Sequence, residues 1–206
     1  MSDLVDRVHT FRQSNVWIYS TMLVSACLSL LASFVLSVDA IALAKDPHAS
    51  LSCNINSRIS CGTVGVSWQA HLLGFPNAFL GLLAEPVVIT IAVASLAKVR
   101  FPRGFMLAAQ VIYTIGVIFA YWLFFQALFV IGALCPWCLL VTLSTTLVFA
   151  SLTHINLRDN NLFLSERAHE ASKAALRMGI DIMVVTLWLA AVVALVFWKY
   201  GATVFG

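Results

Sequence analysis

From Trp17 to Ala44 the chain is apolar, interrupted only by small polar residues and Asp39, and comparable runs recur along its length. About 20 apolar residues carry a helix across roughly 30 Å of hydrocarbon at about 1.5 Å per residue, so each run reads as a membrane span. A secretory signal has an apolar region of only about 7–15 residues, and the first run is therefore expected as an uncleaved span. Charge content points the same way. Only 10% of the 206 residues are charged, where a soluble domain carries about a quarter. The fold class that follows is an all-α integral membrane protein.

Five spans are expected, at residues 16–43, 77–97, 105–128, 135–152 and 178–198, within a single membrane domain covering 1–206. Residues 44–76 form the longest polar connection and hold Cys53, Asn54, Asn56, Arg58 and Cys61. Its second half, SWQAHLLGF, has near-helical apolar spacing and is expected as a short helix lying on the membrane surface. The net charge of +3 sits at span ends, with no basic block interleaved with aromatics, which argues against a nucleic-acid partner. With the N-terminus cytoplasmic, the inner segments carry Arg7, Arg12, Lys98, Arg100, Arg103, Arg158, Arg167, Lys173 and Arg177, and the outer ones only Lys45, Arg58 and Lys199. Cytoplasmic loops are enriched in lysine and arginine, so this orientation is the expected one. It places Cys53, Cys61, Cys135 and Cys138 on the outer face, where disulfides form and persist.

Cys135 and Cys138 form a C-x-x-C, CPWC, at the head of the fourth span. Pro136 suits the first position of a helix, which leaves Cys135 at the cap. A helix N-terminus stabilises a thiolate, the attacking species in disulfide exchange. Cys53 and Cys61 alone would close a structural disulfide in the loop; beside a C-x-x-C on the same face they suggest a shuttle, in which a mobile loop disulfide meets the fixed pair by thiolate attack. Two blander readings stay open. Two inert structural disulfides fit the same residues, and a zinc site would need all four cysteines, because His48 and His71 are poorly spaced to complete one. A relay must also pass its electrons on. In a membrane chain with no haem, flavin or iron–sulfur pattern, the natural two-electron acceptor is a lipid-soluble quinone.

The segment CNINSRISC, the following GTVGVSWQAHLLGFPNAFLGL, and CPWC opening a span together resemble the vitamin K epoxide reductase family, more closely its bacterial homologues, over roughly residues 16–153. The resemblance implies a four-helix bundle around a quinone pocket, with a fifth transmembrane helix, capped by the outer loop and its surface helix. It implies oxidation of an extracytoplasmic thioredoxin-fold, DsbA-like protein and reduction of a menaquinone, ubiquinone or vitamin K type quinone in the bacterial cell membrane. Carried over by motif position, Cys53 exchanges with the partner, Cys61 passes electrons to Cys135, and Cys138 faces the quinone. Ser67 and Asn77 occupy pocket positions, with Asn77 hydrogen-bonding a quinone carbonyl. Thr142 stands where vertebrate members place a tyrosine, giving a shorter contact or none. Asn54 stands where bacterial members often carry aspartate, which leaves a Cys53 thiolate less destabilised. Some relatives continue into a fused thioredoxin domain; this sequence ends at Gly206, so a separate partner is expected.

Among the remaining residues, Cys27 reads as a small buried apolar side chain. Glu85 is an ionisable group inside a span, which makes it a candidate for proton relay as well as a structural carboxylate. Asp181 and His71 read as interfacial, and Trp188, Trp198 and Tyr200 as packing and interface anchors. The expected activity is a quinone-dependent thiol oxidase supporting disulfide formation in secreted proteins. The alternatives are reduction of a vitamin K quinone or epoxide as the main role, and a non-catalytic membrane protein with structural disulfides.

Overall fold

The computed structural model describes residues 13–56 and 58–205; Arg7 and Arg12, used above for orientation, lie outside the described residues. The elements are α1 (Asn15–Lys45), α2 (Cys61–Gly65), a 3₁₀ turn (Trp68–His71), α3 (Ala78–Leu96), α4 (Arg103–Phe125) continued by a π-helical turn (Gln126–Ile131), α5 (Pro136–Arg158), α6 (Glu166–Arg177) and α7 (Ile180–Phe205). Among the described residues, five helices are long and apolar enough to cross a membrane: α1, α3, α4 with its π turn, α5, and α7 as far as Gly201.

Helix ends depart from the hydropathy limits where capping chemistry decides them. The Ser14 hydroxyl accepts the Trp17 N–H and starts α1. Gly132, at φ 71°, ends the π turn in the left-handed region that glycine adopts without steric cost. α5 runs on to Arg158, six residues beyond the expected 152, because a helix satisfies its own backbone in the interface as well as in hydrocarbon. Helix α6 is missing from the sequence expectation. Its hallmarks are polar: Ser165 caps it, Glu166 opens it, and Arg177 closes it, each matching the sign of the helix dipole.

α1 packs most extensively on α3 and α5, and α4 packs on α5; α7 touches α5 lightly and is exposed along most of its length. Lipid supplies no hydrophobic drive between helices, so close contact depends on small residues. Ser25, Ser29, Ser33 and Ser37, spaced every four residues, form a buried stripe on α1. Gly81 of α3 sits directly against it. A Cβ at Gly81 would come within 2.7 Å of Ser33 Cβ, so a side chain there would push the two helices apart. Large apolar residues instead cover the outside of the bundle, among them Leu31, Ile118, Leu187 and Phe197.

The end remote from the C-x-x-C is fastened by polar contacts. Asn156, fully buried, donates to Gln110 Oε1 at 2.8 Å and to the Met106 carbonyl at 3.3 Å, joining α5 to α4. Asp181, read as interfacial, stands in the first turn of α7, where its Oδ2 lies 2.7 Å from His154 Nδ1 and ties α7 to α5. Trp188 Nε1 donates to Tyr121 OH at 2.7 Å, a second α7 anchor. Cys27 is exposed on the outer side of α1, where it was expected to be buried. In a bundle whose interior stripe is serine, an apolar thiol has its place among lipid-facing side chains.

Candidate active site

The loop after α1 is built around two asparagines. Asn56 Oδ1 accepts the backbone N–H groups of Arg58 and Ile59 at 2.9 and 2.8 Å. Asn54 Oδ1 accepts from Ser60 Oγ and from Gly62 N, both at 2.9 Å. The Asn54 amide oxygen therefore closes the turn that joins Cys53 to Cys61. These two cysteines are disulfide-bonded, with Cα atoms 5.7 Å apart.

A short backbone bridge then fixes the loop to the head of α5. Ser60 N donates to the Leu134 carbonyl at 3.0 Å and Leu134 N donates to the Arg58 carbonyl at 2.7 Å, pairing Ile59 with Leu134 in parallel. The residues following each end of this bridge are Ser60–Cys61 and Cys135, so the pairing carries one sulfur to the other. Cys135 Sγ lies 3.4 Å from Cys61 Sγ. The loop expected to be mobile is stapled at this point, and Cys53, Cys61 and Cys135 are all buried.

Cys135 is the N-cap of α5 with Pro136 in the first turn, and its Sγ accepts the Cys138 N–H at 3.2 Å. The Cys135 thiol is held below its ordinary range, chiefly by hydrogen bonding from the Cys138 side chain and further by the backbone N–H groups of Cys138 and Trp137; burial and the Asp39 carboxylate work against this. A thiol so placed is a ready nucleophile, and the sulfur 3.4 Å away belongs to a disulfide.

Beneath the sulfurs lies a cavity of about 640 Å³, lined from α1, the loop and its short helices, α3, α4 and α5, and, among the described residues, by nothing from α6 or α7. Its size is that of a small-molecule site. Cys61, Cys135 and Cys138 open onto it, as do Ser67, Asn77 and Thr142. The hydroxyls of two of these are committed to their own backbones: Ser67 Oγ donates to the Val64 carbonyl at 2.6 Å and Thr142 Oγ1 to the Cys138 carbonyl at 3.0 Å. Each keeps only acceptor capacity toward the cavity. Asn77 differs. Its Nδ2 donates to the Gln69 carbonyl at 2.6 Å with one hydrogen to spare, and its buried Oδ1 has no partner.

The SWQAHLLGF segment departs from expectation. In place of a surface helix there is a single 3₁₀ turn, Trp68–His71, which gives way at Gly74 (φ 81°) before Pro76. The apolar spacing survives in exposed Trp68, Leu72, Leu73 and Phe75, whereas glycine and proline interrupt the helix. His71 lines the cavity as well, its Nδ1 3.4 Å from the Ser67 carbonyl.

Asp39 belongs to the site and went unrecognised in the sequence, where it was only an interruption of an apolar run. Its Oδ2 lies 3.7 Å from Cys53 Sγ. It is grouped with Cys53 and Cys61 within 4.8 Å, two of the three atoms being the bonded sulfurs. The available signal was its position, six residues before the end of α1 and thus about 9 Å from the rim that carries the thiols.

The sequence model of the vitamin K epoxide reductase family matches residues 20–153, a stretch from α1 into α5 that contains Cys53, Cys61, Cys135 and Cys138. No curated protein matches the chain.

Proposed function

Because the chain belongs to the vitamin K epoxide reductase family, a family of membrane oxidoreductases that couple thiol–disulfide exchange to quinone, we propose that it is a quinone-reducing thiol oxidase. In this reading it draws two electrons from a separate thioredoxin-fold, DsbA-like protein outside a bacterial cell membrane and so supports disulfide formation in secreted proteins. The observation that carries the reading is the 3.4 Å approach of the free Cys135 sulfur to Cys61 of a disulfide.

The partner's dithiol attacks the Cys53–Cys61 bond at Cys53, and the partner leaves oxidised with two cysteine thiols left in the loop. Cys61 then attacks Cys135 of the Cys135–Cys138 disulfide, and Cys138 departs as a thiolate. Cys53 attacks Cys61, restores the loop disulfide and frees Cys135. Every step forms one S–S bond as it breaks another, so the electron pair moves inward without loss. The arrangement of bonded Cys53–Cys61 beside free Cys135 and Cys138 corresponds to the end of this sequence. A quinone bound in the cavity supplies the two-electron oxidant that returns the inner pair to a disulfide.

The cavity's lining fits such a group. Its walls are mostly apolar, Cys138 opens onto it, and Asn77 brings a spare N–H and an unpartnered Oδ1 into the cavity that the thiols also line. The N–H suits a carbonyl and the Oδ1 suits a hydroxyl, the two forms of the same oxygen before and after reduction. Ser67 and Thr142 shape the wall as acceptors. Asn77→Ala should raise the quinone KM or lower kcat in the purified enzyme, and unchanged kinetics remove Asn77 from the site.

Capture of the partner tests the proposal as a whole. In Cys61→Ala the Cys53 sulfur has no resolving thiol, so a Cys53–partner mixed disulfide should accumulate on non-reducing gels. Absence of any adduct with a reduced thioredoxin-fold protein sinks the shuttle.

A further inference from the structure

Glu85 lies in the middle of α3 with 3% of its surface exposed. It lines the cavity shared by Asn77 and Cys138. Eight residues at about 1.5 Å each put it about 12 Å deeper than Asn77 along the helix. Both neighbouring hydroxyls donate to the same carboxyl oxygen: Ser29 Oγ to Oε1 at 2.8 Å, and Tyr113 OH to Oε1 at 3.1 Å. Oε2 is buried and has no partner. Among the described residues no cation pairs with Glu85.

An ionised carboxylate in hydrocarbon is costly, and a bare buried oxygen adds to that cost. A carboxyl that carries its proton on Oε2 has instead a donor with nothing to donate to. The cavity thus has an apolar body with an unsatisfied polar group at each end, the Asn77 amide at one and the Glu85 carboxyl in the depth. The ligand this suits carries an oxygen at either end of a short apolar ring: the near one accepts the second Nδ2 hydrogen of Asn77 and, once reduced, donates to its Oδ1, and the far one accepts from the Glu85 carboxyl.

We infer that Glu85 is the second oxygen-binding group of the cavity and the proton donor to the far oxygen of a para-quinone whose near oxygen meets Asn77; the inference rests on the thiol–quinone reading above. The step balances. Two electrons pass from the Cys135–Cys138 dithiol to the quinone as both S–H bonds break and the S–S bond forms. One thiol proton goes to the near oxygen and the other leaves to water. Glu85 gives its proton to the far oxygen, and the carboxylate is held meanwhile by the Ser29 and Tyr113 hydroxyls. It regains a proton from water when the hydroquinone departs, so the net change is dithiol plus quinone to disulfide plus hydroquinone.

Menadione binding to the oxidised full-length protein in nanodiscs, followed by quenching of tryptophan fluorescence, separates binding from turnover. Infrared spectra of the same samples report the protonated-carboxyl C=O stretch directly. That band should be lost in Glu85→Gln and should move when menadione binds to the wild type. Glu85→Gln still donates a hydrogen bond, so menadione affinity should stay within about threefold while kcat falls about a hundredfold. Glu85→Leu should weaken binding about tenfold. A carboxyl band that menadione leaves unmoved, a wild-type kcat in Glu85→Gln, or wild-type affinity in Glu85→Leu overturns the role of Glu85 alone. Failure of menadione to bind the wild-type protein overturns the quinone reading with it.

Discussion

Replacing Asp39 by asparagine should shift the loop disulfide toward the inner cysteine. When Cys135 attacks Cys61, Cys53 departs as a thiolate, 3.7 Å from Asp39 Oδ2. Two unit charges at that distance repel by about 1 kcal/mol with bulk-water screening and by about 4 kcal/mol at an effective dielectric of about 20. Asp39 is only partly buried, which favours the lower figure. Its carboxylate also opposes a thiolate at Cys135, as a minor influence there, so only the difference between the two sulfurs counts. About 1 kcal/mol at most remains, which is up to roughly fivefold in the ratio of Cys61–Cys135 to Cys53–Cys61. The clean measurement uses a Cys138→Ala background, where the site's three sulfurs form one disulfide or the other. Samples equilibrated near neutral pH are acid-quenched, alkylated and digested, and the two cross-linked peptides are counted by mass spectrometry. Adding Asp39→Asn should raise the ratio, and the gain should vanish at a pH low enough to protonate Asp39 in the parent. An unchanged ratio refutes the electrostatic role. A lower ratio refutes it more sharply, because Asp39 would then be acting as the acid that hands Cys53 its proton.

The remaining predictions concern reactivity and packing. Since the Cys138 side chain is the largest influence holding the Cys135 thiol below its ordinary range, Cys138→Ala should displace the pH profile of Cys61–Cys135 exchange toward alkaline pH. In the parent the Cys135 thiolate persists to lower pH and is lost only as pH falls through the depressed value; identical profiles for the two proteins would show that the hydrogen bond does not matter. Gly81→Leu should force α1 from α3 at Ser33, costing about 1–3 kcal/mol as overpacking does, seen as a lower Tm in detergent. Gly116→Ala, where an added Cβ meets nothing within 4 Å, should leave Tm nearly unchanged.

Much of this molecule is legible without coordinates, for reasons that are local. Hydrocarbon selects apolar runs of span length whatever they pack against, so five spans can be counted from composition alone. CPWC announces its own cap, because proline tolerates the first helical position and the residue before it must then lie at the helix start. In the proposed function the four cysteines carry the chemistry, because few other side chains can exchange electrons. Other features were hidden by the same locality. The serines of α1 look like neutral filler until Gly81 is seen against Ser33. Glycine and proline outweighed apolar spacing in SWQAHLLGF, leaving one turn where a helix was expected. Helix α6 is polar on most of its surface and is defined by its caps, a weaker signal than a span.

The number of spans and their approximate positions are thus properties of the amino-acid sequence. Their mutual distances are not. Cys61 meets Cys135 across 74 residues because a two-hydrogen-bond bridge between Ile59 and Leu134 aligns the two strands of chain. Asp39 reaches Cys53, and Glu85 gathers Ser29 and Tyr113, only once α1, α3 and α4 have taken their places around the cavity. Transfer into lipid acts on each segment separately and so can be read residue by residue. The approach of one segment to another depends on which side chains let the helices come close, and that is decided only in the packed bundle.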